Sequence, residues 1–317
     1  RRSNMSTSVR VGTESTATLG GRRETLISRI ARQTGRMGLL FPAVALMAVF
    51  LVGPIAYSVY GSLTNAALSG YKAANPEFVG LENYAELLTS NAFWKAVLLT
   101  VIFVFASAVV GQNILGLALA MLMRKAPKIL STLVGGVVVI AWVMPEIVAA
   151  FALYAFFSSD GTLNVMLSYI GLSGPAWLLV FPMFSVIMAN IWRGTAFSMM
   201  VYSAALAEVP PEIQEAAKVD GARGWQRFFF VTLPMIKGSI STNLLLTTLQ
   251  TLGVFTLLWV MTGGGPGTQS TTLPVMAYQE AFKNSLIGYG TAIATVTIVL
   301  GALFALVYIR ALKPEVD

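Results

Sequence analysis

Six apolar runs, each long enough to cross a lipid bilayer as a helix, decide what this chain can fold into. A helix needs about 20 apolar residues to cross the hydrocarbon core. Such runs occupy residues 38–60, 93–123, 129–157, 177–206, 236–261 and 286–310. Only helices and closed barrels satisfy backbone groups within lipid, and these runs do not alternate as barrel strands do. The sequence therefore predicts an all-α polytopic membrane protein with six transmembrane helices.

The distribution of basic residues predicts the orientation of these helices. Most of the 21 Lys and Arg residues lie in residues 1–36, in the loops that follow the second and fourth runs, and after the sixth run. The opposite side holds Lys72, Lys95 and Lys283. Because cytoplasmic loops are enriched in Lys and Arg, both termini are expected in the cytoplasm. The net charge of +7 is accordingly attributed to membrane topology, and no nucleic-acid partner is expected.

The same counts suggest a domain organisation. Residues 1–36 are rich in Arg, Ser and Gly and are predicted to form a disordered cytoplasmic tail. Residues 37–312 form the transmembrane domain, with a cytoplasmic loop at 207–235, and residues 313–317 form a second cytoplasmic tail. A short amphipathic helix is expected at the membrane interface within 158–177.

Several kinds of chemistry are excluded by composition. The chain has no Cys and no His, which removes disulfides, thiolate nucleophiles, the usual zinc sites and histidine acid–base catalysis. It also lacks a Gly-x-x-x-x-Gly-Lys-Ser/Thr run, so it is not expected to bind and hydrolyse ATP itself. The chain is predicted to be neither an enzyme nor a metalloprotein.

The cytoplasmic loop 207–235 is the most informative polar segment. Residues 211–219 contain good helix formers, and Pro210-Pro211 favours a helix start. Gly221 can adopt the positive φ that ends a helix. A second short helix with an aromatic face is predicted over residues 222–230. A solvated connector between two spans is the alternative interpretation.

Three motifs resemble one transporter family. The first is Glu215-Ala216-Ala217, followed by Gly221 and then Leu233-Pro234 at fixed spacing. It is similar to the signature of binding-protein-dependent ABC importer permeases. The run Trp225-Gln226-Arg227-Phe228 resembles the carbohydrate-uptake branch, which includes maltose and glycerol-3-phosphate permeases. Residues 261–267 and 78–84 carry two weaker similarities.

The resemblance implies the type I ABC importer permease fold and a location in the bacterial plasma (inner) membrane. It implies that the loop helix is a coupling helix that docks on an ATPase subunit, where Glu215 meets a basic residue. The implied partners are a second, related permease, two ATPase subunits and an extracytoplasmic binding protein. No cofactor is implied for this chain, because ATP and Mg would bind the ATPase. The residues implied in coupling are Glu215, Ala216, Ala217, Asp220, Gly221, Leu233 and Pro234.

Polar and aromatic residues in the fourth and fifth runs are candidates for a substrate pathway. Such groups are unusual on a lipid-facing helix, and a sugar needs amides and hydroxyls beside an aromatic plane. The alternative for each hydroxyl is a helix–helix hydrogen bond. By similarity to maltose-type permeases, and from their polarity, the candidates are Asn190, Arg193, Gly194, Phe197, Thr247, Gln250, Thr251 and Val254.

Two further features complete the set of candidates. The resemblance implies that Gly263, Gly264, Gly265 and Pro266 contact the binding protein, and a flexible loop is the alternative. The intramembrane charges Glu146 and Arg193 could pair with each other, with a partner subunit or with an anionic substrate.

The sequence thus predicts the permease subunit of an ATP-driven importer of a sugar or sugar derivative. One alternative is a self-contained secondary transporter or channel, for which Glu146 is the only candidate ion-coupling carboxylate. Another is a permease for a non-sugar solute such as a glycerophospho-compound. Monosaccharides, disaccharides, polyols and amino sugars are all compatible with the chain.

Overall fold

The computed structural model describes residues 41–311. The tails predicted at 1–36 and 313–317 lie outside the described residues. The chain divides into two units, residues 1–55 and 56–317, and helix α1 begins within the first. The helices are α1 (Phe41–Ser62), α2 (Tyr71–Ala74), α3 (Glu82–Thr89), α4 (Asn91–Lys125), α5 (Lys128–Val143), α6 (Glu146–Phe157), α7 (Thr162–Tyr169), α8 (Trp177–Val180), α9 (Pro182–Ala207), α10 (Pro211–Val219), α11 (Gly224–Met235), α12 (Lys237–Leu252), α13 (Thr256–Thr262), α14 (Leu273–Tyr278) and α15 (Ile287–Ala311).

Helices dominate the described residues, and the only pairing of extended backbone among them is an isolated antiparallel bridge between Thr64 and Phe78. The prediction of an all-α membrane fold is confirmed at this level. Three helices, α1, α4 and α15, are long and apolar enough to cross a membrane. Two bent helix pairs raise the number of candidate spans to five when each pair is taken as one span. The fourth predicted span, 177–206, corresponds to the short helix α8 and to α9, whose composition is more polar.

The third predicted span, 129–157, is two helices rather than one. Helix α5 ends at Val143 and α6 begins at Glu146, and the chain bends by 107° between them. Met144 and Pro145 have extended backbone, with ψ of 133° and 135°. Proline lacks an N–H group and disfavours helical backbone at the residue before it. Pro145 therefore explains the break.

The fifth predicted span, 236–261, is also interrupted. Helix α12 ends at Leu252 and α13 begins at Thr256, and the residues between them are not helical. A second bend of 70° separates α11 from α12 at Ile236. Non-helical backbone at membrane depth is tolerated where protein covers it or where it lines a cavity. Protein covers part of the break: Val254 is buried and Phe255 is partly buried, whereas Gly253 is exposed.

Helix α9 is the centre of the fold. It has 26 residues, or a length of about 39 Å at 1.5 Å per residue. Its buried face packs on α4, where glycine allows a close approach: a Cβ at Gly116 would lie 2.5 Å from Cβ of Ser198. Small residues at such contacts let membrane helices approach closely. Half of its 26 residues are buried, and Asn190, Thr195 and Ser198 are among them, so these polar residues do not face lipid.

An apolar cluster fixes α6 and α13 against α9. It includes the fully buried Ala150, Val186, Leu257 and Leu258. The cluster therefore positions the two helices that follow the breaks, α6 and α13. The predicted amphipathic helix within 158–177 is present as α7, which packs beside α6.

Candidate functional site

The loop helix α10 matches its predicted bounds, Pro211–Val219. Pro211 lies in its first turn, where the missing N–H group has no helical partner to lose. None of its residues is buried, and the side chain of Val219 is 87% exposed. Ile213 is 43% exposed. A helix with apolar side chains facing solvent presents a surface that another protein can cover.

Gly221 ends this helix in the way the sequence predicts. Its φ is +79°, a left-handed conformation that glycine adopts readily. The N–H of Ala222 donates to the carbonyl of Ala217 at 3.0 Å, and the N–H of Gly221 donates to the carbonyl of Lys218 at 3.1 Å. This pair of bonds is the Schellman motif. It turns the chain sharply from α10 into α11.

One side-chain contact joins α10 to α11, and a second caps the start of α11. Gln214 of α10 donates from Nε2 to Oγ1 of Thr232 in α11 at 3.1 Å. At the start of α11, the N–H of Arg223 donates to Oε1 of Gln226 at 2.7 Å. The short helix predicted at 222–230 is observed as α11, which begins at Gly224 and continues to Met235.

The predicted coupling residues occupy different positions on this unit. Glu215, Ala216, Asp220, Gly221 and Pro234 are exposed, whereas Ala217 and Leu233 are partly buried. Most of the motif is therefore accessible at the surface of the chain. Its role in coupling remains a prediction.

A buried hydrogen-bond network links α4, α9 and α12 inside the fold. Asn243 donates from Nδ2 to Oδ1 of Asn113 at 2.8 Å and to Oγ of Ser198 at 2.9 Å. The hydroxyl of Tyr202 also donates to Oδ1 of Asn113. Asn113 donates in turn to Oγ1 of Thr247 at 3.4 Å. Buried polar groups need such partners, so the network fixes how the three helices pack.

A second network connects the same helices around Asn190. Its Nδ2 donates to Oγ of Ser107 at 2.8 Å and to Oγ1 of Thr251 at 3.3 Å. Gln112 donates to the backbone carbonyl of Asn190 at 3.0 Å. Gly194 lies directly against Gln112, and a Cβ there would come within 2.3 Å of the amide carbon.

These networks divide the predicted pathway residues into two groups. Asn190, Thr247 and Thr251 are buried and hydrogen-bonded between helices. That placement matches the alternative of helix–helix contacts. Gln250, on the same helix α12, is exposed. The other accessible candidates are Arg193, Gly194 and Phe197, which are partly buried, while Val254 is 9% exposed.

An aromatic cluster that the sequence analysis did not single out lies at the start of α13, at the end of α14 and in the π-helical segment Gln279–Lys283 that continues α14. Phe255 and Trp259 are stacked with centroids 5.8 Å apart, and Tyr278 packs on both at 4.9 and 4.7 Å. Phe282 extends the cluster, with its centroid 5.2 Å from that of Tyr278. Lys283 lies 4.4 Å from the centroid of Trp259. The i, i+4 spacing within each pair was the available signal.

The four rings are partly or fully accessible, and Phe282 is 57% exposed. Aromatic planes of this kind suit the apolar faces of a sugar, while neighbouring amides suit its hydroxyls. The cluster is therefore a second candidate for contact with solute. It differs from the buried networks, whose polar atoms already have protein partners apart from Oδ1 of Asn243.

Glu146, the first residue of α6, contacts the start of α13 and so connects the two interrupted spans. Its Oε1 accepts from the N–H of Leu257 at 3.2 Å, in the first turn of α13. The N-terminus of a helix leaves N–H groups without partners and attracts negative charge. Arg193 Nε is buried without a hydrogen-bond partner. Between residues 41 and 311 these two charges form no ion pair with each other, so the pairing considered above is not observed.

The glycine-rich segment after α13 is an ordered turn. Gly263 and Gly264 have φ of +60° and +89°. The carbonyl of Gly264 accepts from Oγ1 of Thr271 at 2.9 Å, and the carbonyl of Gly263 accepts from Nε2 of Gln279 at 3.0 Å. These bonds distinguish the segment from an unrestrained loop.

Exposure varies along the residues predicted to contact a binding protein. Gly264 is buried, Gly263 and Gly265 are partly buried, and Pro266 is exposed. The accessible part of the turn is residues 266–269. The contact itself remains a prediction, and the geometry shifts its centre toward the exposed tip.

Comparison with known proteins identifies a family. Residues 112–317 match the family described as "Binding-protein-dependent transport system inner membrane component". The chain is 31% identical over 290 residues to the trehalose/maltose transport system permease protein of Thermococcus litoralis, covering 90% of this chain and 96% of that protein. It is 33% identical over 285 residues to the sulfoquinovosyl glycerol transport system permease protein of Agrobacterium fabrum, covering 87% and 90%.

The fold is also similar to a solved structure. This is a bacterial alginate ABC transporter in complex with an alginate pentasaccharide-bound periplasmic protein. The TM-score is 0.75 at 24% identity, and the match covers 91% of this chain and 97% of the other. At this identity the similarity concerns the fold.

Proposed function

Because the chain belongs to the binding-protein-dependent ABC permeases and to their carbohydrate-uptake branch, we propose that it is one permease subunit of an ATP-driven sugar importer. It is a multi-pass membrane protein. In the proposed arrangement six spans cross the plasma membrane, with both termini in the cytoplasm. Separate ATPase subunits supply the energy, and an extracytoplasmic binding protein delivers the sugar or sugar derivative.

The main structural support for this proposal is the loop helix α10. Seven of its nine residues are exposed, and it is held to α11 by the Gln214–Thr232 hydrogen bond and by the turn at Gly221. Movement of a docked ATPase would therefore act on both helices together. Since α11 leads into α12, the displacement would reach the networks that pack α12 against α4 and α9. A rigid connector of this kind can transmit closure of the ATPase to the membrane domain.

The second permease subunit would complete the pathway. The accessible groups on this chain, Gln250 and the rings of Phe255, Trp259 and Tyr278, would then face a shared path. We assign sugar contact to this accessible set rather than to the buried Asn190, because its donors are already used within the fold.

An anionic sugar derivative is the second candidate substrate. Arg193 Nε is buried without a hydrogen-bond partner. A buried guanidinium N–H without an acceptor is costly, and a carboxylate, sulfonate or phosphate group would accept from it. The relative from Agrobacterium fabrum is named for sulfoquinovosyl glycerol. The Arg193→Gln variant would lose uptake of an anionic sugar and retain that of a neutral one.

Glu215 provides a test of the coupling role. It is exposed on α10, as is Glu212 in the first turn of the same helix. In the assembled transporter, Glu215→Ala should weaken a charge-assisted contact by about 1.5–3 kcal/mol. We expect reduced ATPase co-purification and reduced uptake, measured together. Glu212→Ala is the matched control and should leave both intact. If Glu215→Ala leaves assembly and uptake unchanged, the assignment is wrong.

A further inference from the structure

A cavity lies beside the loop helix, on the side of the membrane helices. Its volume is about 330 Å³, within the range of about 300–1,000 Å³ for small-molecule pockets. Its walls come from the end of α4, the end of α9, the loop helix α10 and the first half of α11. The proposed coupling role does not use this cavity.

The cavity is strongly basic. Arg124 and Lys125 contribute from the end of α4, and Arg227 contributes from α11. Among the described residues, no Asp or Glu lines it. Nε of Arg227 is buried and has no hydrogen-bond partner. Three cations that converge on one space without a carboxylate repel each other, and an anion would relieve that repulsion.

The other walls fit a ligand that is only partly polar. Gln214 and Thr232 are joined by a hydrogen bond and form one polar wall. Phe228 and Met121 supply apolar surface. A phosphate group attached to a hydrocarbon chain matches both parts, because guanidinium groups bind phosphate through several charge-assisted bonds.

We propose that this cavity binds the phosphate of an anionic phospholipid headgroup. The proposal rests on the proposed orientation, in which these residues lie at the cytoplasmic membrane surface. Basic pockets between membrane helices on that side bind the headgroups of anionic lipids. The phosphate lies among Arg124, Lys125 and Arg227, and the first part of the acyl chains lies on Phe228.

The position of the cavity gives the bound lipid a role in coupling. Gln214 belongs to the loop helix, Arg124 to α4 and Arg227 to α11. A lipid in the cavity would connect the element that receives force to the helices that move. Transport would then depend on the anionic lipid content of the membrane.

The test is a titration of the purified full-length chain in detergent with dioctanoyl phosphatidylglycerol. Dioctanoyl phosphatidylcholine and inorganic phosphate are the two comparison ligands. The variant is R124Q/K125Q/R227Q. The matched control, K128Q/R223Q/R310Q, removes the same charge from positions that do not line the cavity. Binding is measured without transport, so failure here leaves the proposed import function untouched.

We expect phosphatidylglycerol to bind at least about tenfold more tightly than either comparison ligand. A basic residue near an anionic lipid surface contributes about fivefold in affinity, so the triple variant should bind on the order of 100-fold more weakly. The control should change less than about threefold. If the triple variant does not fold, R227Q alone should weaken binding by about fivefold.

Three results would overturn the proposal. If wild type and R124Q/K125Q/R227Q, or wild type and R227Q, bind phosphatidylglycerol with equal affinity, these residues do not form a lipid site. If the control variant loses as much affinity as the triple variant, the effect comes from the overall charge of the chain and not from this cavity. If inorganic phosphate binds as tightly as phosphatidylglycerol, the ligand of this cavity is a soluble phosphate and not a lipid.

Discussion

Replacement of Gly221 tests how the loop helix is projected. Gly221 adopts φ of +79° and closes the Schellman motif at the end of α10. No atom lies within 4 Å of the position that a Cβ would occupy there. A larger side chain therefore meets open space, and any penalty comes from the backbone conformation alone.

The size of that penalty can be estimated from the conformation. A left-handed backbone costs an L-residue roughly 1–2 kcal/mol, and Asn tolerates it better than Ala or Val. If the strain is relieved by opening the turn, the bonds from Ala222 to Ala217 and from Gly221 to Lys218 are lost. The projecting geometry would then be populated about 5–30-fold less. The expected order of activity is Gly, Asn, Ala and Val.

The assay is ATP-driven uptake by the assembled transporter, normalised to the amount of assembled complex. Gly238→Ala is the matched control. Gly238 also has no atom within 4 Å of its Cβ position, and its φ does not lie in the positive range. It should retain full uptake. Wild-type uptake in Gly221→Ala would refute the argument, and so would a Gly221→Asn variant no better than Gly221→Val.

Three further predictions concern the membrane interior. Glu146→Ala leaves the N–H of Leu257 unsatisfied and should destabilise the chain by about 1–3 kcal/mol in detergent unfolding, whereas Glu146→Gln should retain most of the stability. Gly194→Ala displaces the buried Gln112 and should reduce stability by about 1–3 kcal/mol, an effect that a second change, Gln112→Ala, should relieve. Trp259→Ala should raise the KM for uptake by about 2–10-fold, from a loss of about 0.5–1.5 kcal/mol, while Trp259→Phe stays near wild type.

Each of these predictions has a contradicting result. Equal stability of Glu146→Ala and wild type would exclude the cap on α13. Full stability of Gly194→Ala would show that Gln112 moves without loss. An unchanged KM in Trp259→Ala would remove the aromatic cluster from the solute path.

Local signals predicted the loop helix because its ends are set by adjacent residues. Pro211 and Gly221 determine where α10 begins and turns, and both act within a few residues. Helix α7 was likewise predicted from the local pattern of apolar residues within 158–177. Apolar length alone also located the three helices that qualify as membrane spans, to within a few residues.

The breaks within the third and fifth predicted spans could not be found from hydropathy. Apolar composition continues across Pro145 and across Gly253, so the mean hydropathy of a 20-residue window does not detect either break. Pro145 was a visible signal, since it restricts Met144. The second break depends on Glu146, which is 111 residues from Leu257 and caps α13 from another helix.

The buried networks were beyond the sequence for the same reason. Asn113 and Asn243 are 130 residues apart, and Asn190 and Ser107 are 83 residues apart. Periodicity places each on a helix face but does not identify its partner. A polar residue between two helices and one that faces a solute path therefore have the same sequence pattern.

The most direct test of the central claim is a reconstitution in liposomes. The full assembly, containing this chain, the second permease, the ATPases and a binding protein, is compared with this chain alone. Labelled trehalose and maltose serve as test solutes, as suggested by the relative from Thermococcus litoralis. We predict uptake that requires ATP and every subunit. Accumulation by the chain alone under an ion gradient would contradict the account.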